Sequence, residues 1–273
     1  VSGRAQAAFG AALVVALSGV LLLLVLPVAA IFVEAGPGEL LEGFLRPESR
    51  DALVVSLRSA ALAMLLILAV GTPAAYLLAT RGFPGRSAVI AMVELPIVLP
   101  PAVAGIGLLA AFGPNGLLGE RLEALGISLP LSAAAVVLAM AFVAGPLYVR
   151  QALAAFESVD PRLAQAAESL GTTEARWFAR VAIPLAGPGL GAGATLALGR
   201  ALGEFGATLM FAGSLRGVTQ TLPLAIFETF STDFTAALGM GAFLVSVSAA
   251  LLLTVRVIGG RHVAERGHPR SAS

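Results

Sequence analysis

Arg200 and Glu204 are the only charged residues of the stretch Gly199-Arg200-Ala201-Leu202-Gly203-Glu204-Phe205-Gly206-Ala207-Thr208, which lies in apolar surroundings. Four residues apart, they share one face if the stretch is helical, and each offsets the burial of the other. Such a pair either lines or gates a polar path, or it ties helices together. Gly199, Gly203 and Gly206 permit close helix approach in both cases. Thr208, Ser214, Thr219 and Thr221 supply hydroxyls that can hydrogen-bond a polar solute or the backbone. Glu94 reads as an interfacial or helix-contact carboxylate rather than a substrate ligand.

Much other chemistry is excluded. The sequence has no cysteine, its 17 basic residues are all arginine, and its two histidines, His262 and His268, lie in a polar C-terminal segment. Disulfides, thiolate metal sites, cysteine nucleophiles, histidine-based triads and Ser-Lys dyads therefore have no residues to build them. No catalytic residue and no metal site is expected. A GxxxxGK[ST] phosphate loop is impossible without lysine. If ATP drives this chain, a different subunit binds it.

The elements that carry these residues follow from composition. Of 273 residues, 58% are hydrophobic and 12% charged, with a mean hydropathy of +0.93. So much apolar side chain needs lipid as part of its solvent. The expected fold is an all-α polytopic membrane protein with six transmembrane helices. Charge-free runs place them at about 5–33, 54–80, 87–112, 131–149, 185–209 and 235–257, the third broken by Pro96, Pro100 and Pro101. The first run is twice the length of a signal-peptide core and reads as a retained helix. The apolar stretch 221–230 is too short to cross and reads as re-entrant or interfacial.

Six spans put both termini on one side. Arg4, Arg81, Arg86, Arg150, Arg162, Arg176, Arg180 and the arginines of 256–270 fall there, against Arg46, Arg50, Arg121 and Arg216 opposite. By the positive-inside rule, the termini and the 150–184 loop face the cytoplasm. The segments divide as 1–52 (first helix and outer loop), 53–257 (membrane core) and 258–273 (cytoplasmic tail). The tail is expected to anchor the last helix at the headgroups, with no regulatory domain after it.

The 150–184 loop holds more helix than a connection needs. Asp160-Pro161 reads as an N-cap with proline at the first helical position, Gly171 as a left-handed stop, and Thr172 or Thr173 as the cap of a second turn. Alanines on one face let a partner approach, while Leu170, Trp177 and Phe178 are expected to anchor the loop to the membrane helices. The spacing resembles the EAA loop of ABC importer permeases, EAA-x3-G-x9-I-x-LP. Here it runs Gln165-Ala166-Ala167, three residues, Gly171, nine residues, then Val181-Ala182-Ile183-Pro184. Gln165, Val181 and Ile183 replace Glu, Ile and Leu, so a charge pair made through that glutamate is absent.

The resemblance implies a type I importer permease whose Gln165, Ala166, Ala167, Glu168, Ser169, Leu170 and Gly171 couple it to an ATPase. It implies a second copy of the chain, two ATP-binding cassette subunits holding ATP and Mg, and an extracytoplasmic oxyanion-binding protein. This chain itself would hold no cofactor. The implied setting is the bilayer of a bacterial or archaeal plasma membrane, with no nucleic-acid partner. The stretch RALGEFGATLMFAG, the following Thr219-Gln220-Thr221-Leu222-Pro223 and the third-span Leu95-Pro96-Ile97-Val98-Leu99-Pro100-Pro101 resemble the molybdate/tungstate subfamily. There Arg200, Gly203, Glu204, Gly206 and Thr208 are expected along the path or its gate. Sulfate/thiosulfate permeases share much of this, including the Gly113-Pro114-Asn115-Gly116 turn. A proton-coupled secondary transporter using Glu94, Arg200 and Glu204 is the alternative of a different class, but it offers no reason for the docking loop.

Overall fold

A computed structural model describes residues 3–264. It opens with α1 (Gly3–Glu34), whose apolar window has no residue buried, and continues through α2 (Pro37–Leu45) into α3 (Pro47–Thr80). The stretch expected to be an outer loop is thus largely helical. Gly36 N–H donates to the Glu39 carboxylate at 3.1 Å across the start of α2. Pro47 then opens α3 at a position where its missing N–H costs nothing.

The third hydrophobic run is not one straight crossing. Its halves, α4 (Arg86–Val98) and α5 (Pro101–Phe112), meet at a bend of 117°. Pro100 and Pro101 cannot donate backbone hydrogen bonds, and Pro101 disfavours helical backbone at Pro100, so the chain turns there. The described residues thus contain five straight helices long and apolar enough to cross a membrane, or six crossings if the bent pair counts as one. After the short α6 (Gly119–Ala124), α7 (Ala133–Glu157) starts where the Ser132 hydroxyl accepts the Ala135 N–H at 3.3 Å. It runs eight residues beyond the expected end at Val149.

The 150–184 loop folds as α8 (Pro161–Ser169) and α9 (Glu174–Trp177), followed by a π-helical turn (Phe178–Ala182). The fifth crossing then departs from expectation. It starts at Ile183 as α10 (Ile183–Leu202), stops at Gly203 and resumes as α11 (Gly206–Ala212). A return segment, exposed at 215–218 and buried at 219–221, leads to α12 (Leu222–Phe230), and α13 (Phe234–Ala264) completes the order. The reading of the tail as a headgroup anchor, where it concerns 265–273, lies outside the described residues.

Small residues hold this core together. Ala60, Ala63, Ala139, Ala144 and Ala197 are buried where α3, α7 and α10 meet. A Cβ on Gly193 would stand 3.0 Å from the Gln151 Cβ, and one on Gly71 would stand 3.0 Å from the Tyr148 ring. Lipid tails give apolar side chains little reason to prefer one another, so close backbone approach and dispersion replace the hydrophobic drive. The hydroxyls of Thr72 and Tyr148 meet at 2.6 Å inside this seam.

Candidate functional site

The elbow formed by α8 and α9 begins as its sequence predicts. The Asp160 carboxylate accepts the Arg162 N–H at 2.9 Å, Pro161 opens α8, and Gly171 adopts φ +73° just past the helix end. The Gly171 N–H donates to Glu168 O at 2.9 Å and the Thr172 N–H to Ala167 O at 3.0 Å, which satisfies carbonyls the helix leaves open. Thr173 occupies the N-cap position of α9 but makes no capping hydrogen bond through its side chain.

The faces of α8 are divided otherwise than expected. Ala164 and Ala167 are half-buried and pack toward the membrane core. Gln165, Ala166, Glu168 and Ser169 are exposed, and Leu163 and Leu170 expose 46% and 85% of their surface. Leu170 therefore does not anchor the loop. Its place in the sequence sets it just past the last turn, where Gly171 directs the chain away and leaves it facing outward. Trp177 and Phe178 do anchor it. Trp177 is buried, and the Phe178 ring lies 4.7 Å from Tyr76 and 6.2 Å from Phe156.

Two arginines that sequence reasoning used only for sidedness brace the elbow. Arg81 reaches Glu174 of α9 at 2.6 Å. Arg86 reaches Glu157 at 2.6 Å and also donates through Nε to Leu78 O. Their positions at span ends marked them as interfacial, but no spacing rule pairs residues so far apart in the chain.

The intramembrane pair is assembled by a helix end rather than by a helix face. With α10 stopped at Leu202, Glu204 turns inward and is fully buried. Its Oε1 accepts the Ala207 N–H at 2.7 Å, filling the N-terminus of α11 with a negative charge. Its Oε2 stands 2.7 Å from Arg200 Nη2, an ion pair without hydrogen-bond alignment. Arg200 keeps 31% of its side chain exposed. Gly203 is exposed, and a Cβ there would meet nothing closer than 3.6 Å. Gly206 has no such room, since its Cβ would fall 2.8 Å from the Cβ of Pro101. The two broken crossings therefore touch next to their breaks.

Polar groups gather around this junction. Thr208, one turn beyond Glu204, is fully buried, and its hydroxyl has no hydrogen-bond partner. The buried hydroxyls of Ser214 and Thr221 are likewise unpartnered, whereas Thr219 Oγ1 accepts the Leu215 N–H at 2.8 Å. The return segment is pinned where the Leu222 N–H donates to Ser56 Oγ at 2.8 Å and Gln220 Nε2 donates to Glu228 at 2.7 Å. Among the described residues no His, Cys, Asp or Glu cluster suited to a metal ion occurs.

Comparison with known proteins places this geometry in a family. The chain is 45% identical over 210 residues to the molybdenum transport system permease protein ModB of Mycobacterium tuberculosis, covering 77% of this chain and 79% of the relative. It is 33% identical over 264 residues to the sulfate transport system permease protein CysT of Escherichia coli, covering 95% of each. The fold matches that of a bacterial ABC transporter involved in the import of the acidic polysaccharide alginate. That match has a TM-score of 0.78 at 17% identity and covers 94% of this chain and 96% of that one. The family model described as binding-protein-dependent transport system inner membrane component matches residues 71–265. The chain is an integral membrane protein of that family.

Proposed function

We propose that this chain is the permease subunit of an ATP-driven importer for molybdate and tungstate oxyanions. Two copies form the passage, two separate ATPase subunits bind ATP and Mg, and an extracytoplasmic protein delivers the anion. The observation that carries the mechanism is α8, a capped helix seated on the core by Ala164 and Ala167 with its other face exposed, on a chain with no phosphate-binding loop of its own. Its seat is stiffened by Arg81–Glu174 and Arg86–Glu157, so a push on α8 is passed to α3, α4 and α7 rather than absorbed locally. With α8 on the cytoplasmic side, both termini lie there as well.

The cargo follows from the relatives. Permeases of molybdenum transport systems match at 40–45% identity. The sulfate transport system permease matches at 33%, although over more of the chain. That longer match is the specific observation behind the second reading, a sulfate/thiosulfate importer. Both anions are tetrahedral dianions, and the partly exposed guanidinium of Arg200 suits either.

The test is radiolabelled molybdate uptake into proteoliposomes holding the permease, its ATPase and its binding protein. Uptake is expected to need ATP, to be blocked by equimolar tungstate and to survive equimolar sulfate. Equal competition by sulfate would transfer the cargo to the second reading. Uptake without the ATPase would reject the importer mechanism itself.

A further inference from the structure

We infer that Glu94 and Arg150 form part of the wall of a water-filled passage on the cytoplasmic half of the membrane domain, where Arg150 offers its guanidinium to the departing anion. The inference rests on the proposed transport function, but its evidence is the position and exposure of this pair.

Arg150 was expected at the cytoplasmic surface because the charge-free run ends at Val149. The structure sets it deeper. Tyr148 hydrogen-bonds Thr72 and packs against Gly71, near the middle of the charge-free run 59–80 of α3. That run spans about 33 Å, close to the ~30 Å of a hydrocarbon core. α3 and α7 run in the same direction, so Arg150 lies about 3 Å further inward than Tyr148. It is still roughly 9 Å short of the cytoplasmic end of the run. Glu94 reaches the same level from α4, eight residues outward of Arg86. The two rungs Arg86–Glu157 and Glu94–Arg150 thus join α4 to α7 with opposite polarity.

At this depth the pair is exposed, Arg150 by 67% and Glu94 by 37% of their side chains. An ionised group in hydrocarbon is strongly disfavoured unless protein or water covers it. The protomer does not cover it, and no described side chain of α4 is fully buried. Contact is also loose, with Arg150 Nε and Glu94 Oε1 at 3.6 Å and no hydrogen bond between them. A dry pair needs close, aligned hydrogen bonds to offset its desolvation. A pair with no aligned hydrogen bond between its members fits water around the charges. Water, bounded on the far side by the second copy, is therefore the occupant of this face. In it Arg150 attracts an oxyanion, while Glu94 beside it keeps the anion from being held.

The chain has no cysteine, so single-cysteine variants report without background. Arg150→Cys, Glu94→Cys and a control, Leu65→Cys from the exposed apolar face of α3, would be made in the full transporter. Inverted membrane vesicles would then be treated with impermeant cationic or anionic thiosulfonates. Both path variants are expected to react at least roughly tenfold faster than the control. The cationic reagent should be faster at Arg150→Cys, where Glu94 remains, and the anionic one faster at Glu94→Cys. Reaction as slow as that of Leu65→Cys at both positions would overturn the inference. The labelling needs no cargo, so labelled sites in a transporter that ignores molybdate would leave the passage standing and reject only the cargo.

Discussion

At the scale of single residues, Arg200 and Glu204 allow a decision between path lining and structural pairing. Glu204 is fully buried, stands 2.7 Å from Arg200 as an ion pair and accepts the Ala207 N–H. Removing one member of a buried pair costs about 3–5 kcal/mol, because the other charge is left uncompensated. Arg200 is about a third exposed, so the lower end of that range applies to Glu204→Ala. Arg200→Gln is expected to cost at least as much, since it strands the buried carboxylate. The double variant Arg200→Gln with Glu204→Gln removes both charges and keeps an acceptor for Ala207. Thermal unfolding of the purified complex should therefore show the double variant more stable than either single one. If the pair only holds helices together, uptake returns with stability; if it belongs to the path, stability returns and uptake does not. The residue types and the four-residue spacing were legible in the sequence. The cap on Ala207 was not, because the helix end at Gly203 had first to be recognised from a glycine inside an apolar run.

At the scale of elements, α8 shows which face receives force. Leu163, Ala166 and Leu170 point outward, while Ala164 and Ala167 seat the helix on its own subunit. Leu163→Asp with Leu170→Asp is expected to abolish co-purification of the ATPase and leave the melting temperature of the permease unchanged, since neither side chain is buried. Ala167→Leu should act differently, lifting α8 from its seat and uncoupling ATP hydrolysis from uptake while the ATPase still binds. Gly171→Ala forces a side chain into φ +73° and is expected to cost about 1 kcal/mol, with a partial loss of coupling. The bracing ion pair Arg81–Glu174 has both partners more than half exposed, so its contribution to stability is about 0.2–1 kcal/mol at most. Its effect belongs in the ratio of ATP hydrolysed to anion moved: Arg81→Glu should raise that ratio, and adding Glu174→Arg should restore it. Caps, glycine stop and spacing made α8 readable in advance. Its inward and outward faces depend on where α3 and α7 run beneath it, and one sequence does not supply that.

At the scale of the whole molecule, charge-free runs gave the order of the apolar helices, which make five crossings, or six if the bent pair counts as one, because lipid penalises every charge along a span. The breaks within crossings were only half legible. Proline marked the bend between α4 and α5 but not its 117°, and the stop between α10 and α11 was read as continuous helix. These breaks matter together. A Cβ on Gly105 of α5 would lie 2.7 Å from both Ala207 O and Met210 Cβ of α11, and one on Gly206 would meet Pro101. The segments beyond the two breaks, α5 and α11, are thus interlocked. Both also pack on α7, as do α4 and α10, so α7 ties together the two sides of each break. Breaks such as those at Pro100 and Gly203–Phe205 are tolerated at membrane depth where the helix packs on protein. Gly105→Val tests whether transport needs this interlock, because its side chain pushes α5 from α11 without touching the elbow. Overpacking of this kind costs about 1–3 kcal/mol. The variant should still bind its ATPase, since α8 is untouched, but lose most of its uptake. Gly105→Ala should fall between it and the parent. Full uptake by Gly105→Val would mean that transport does not need the close approach of α5 to α11.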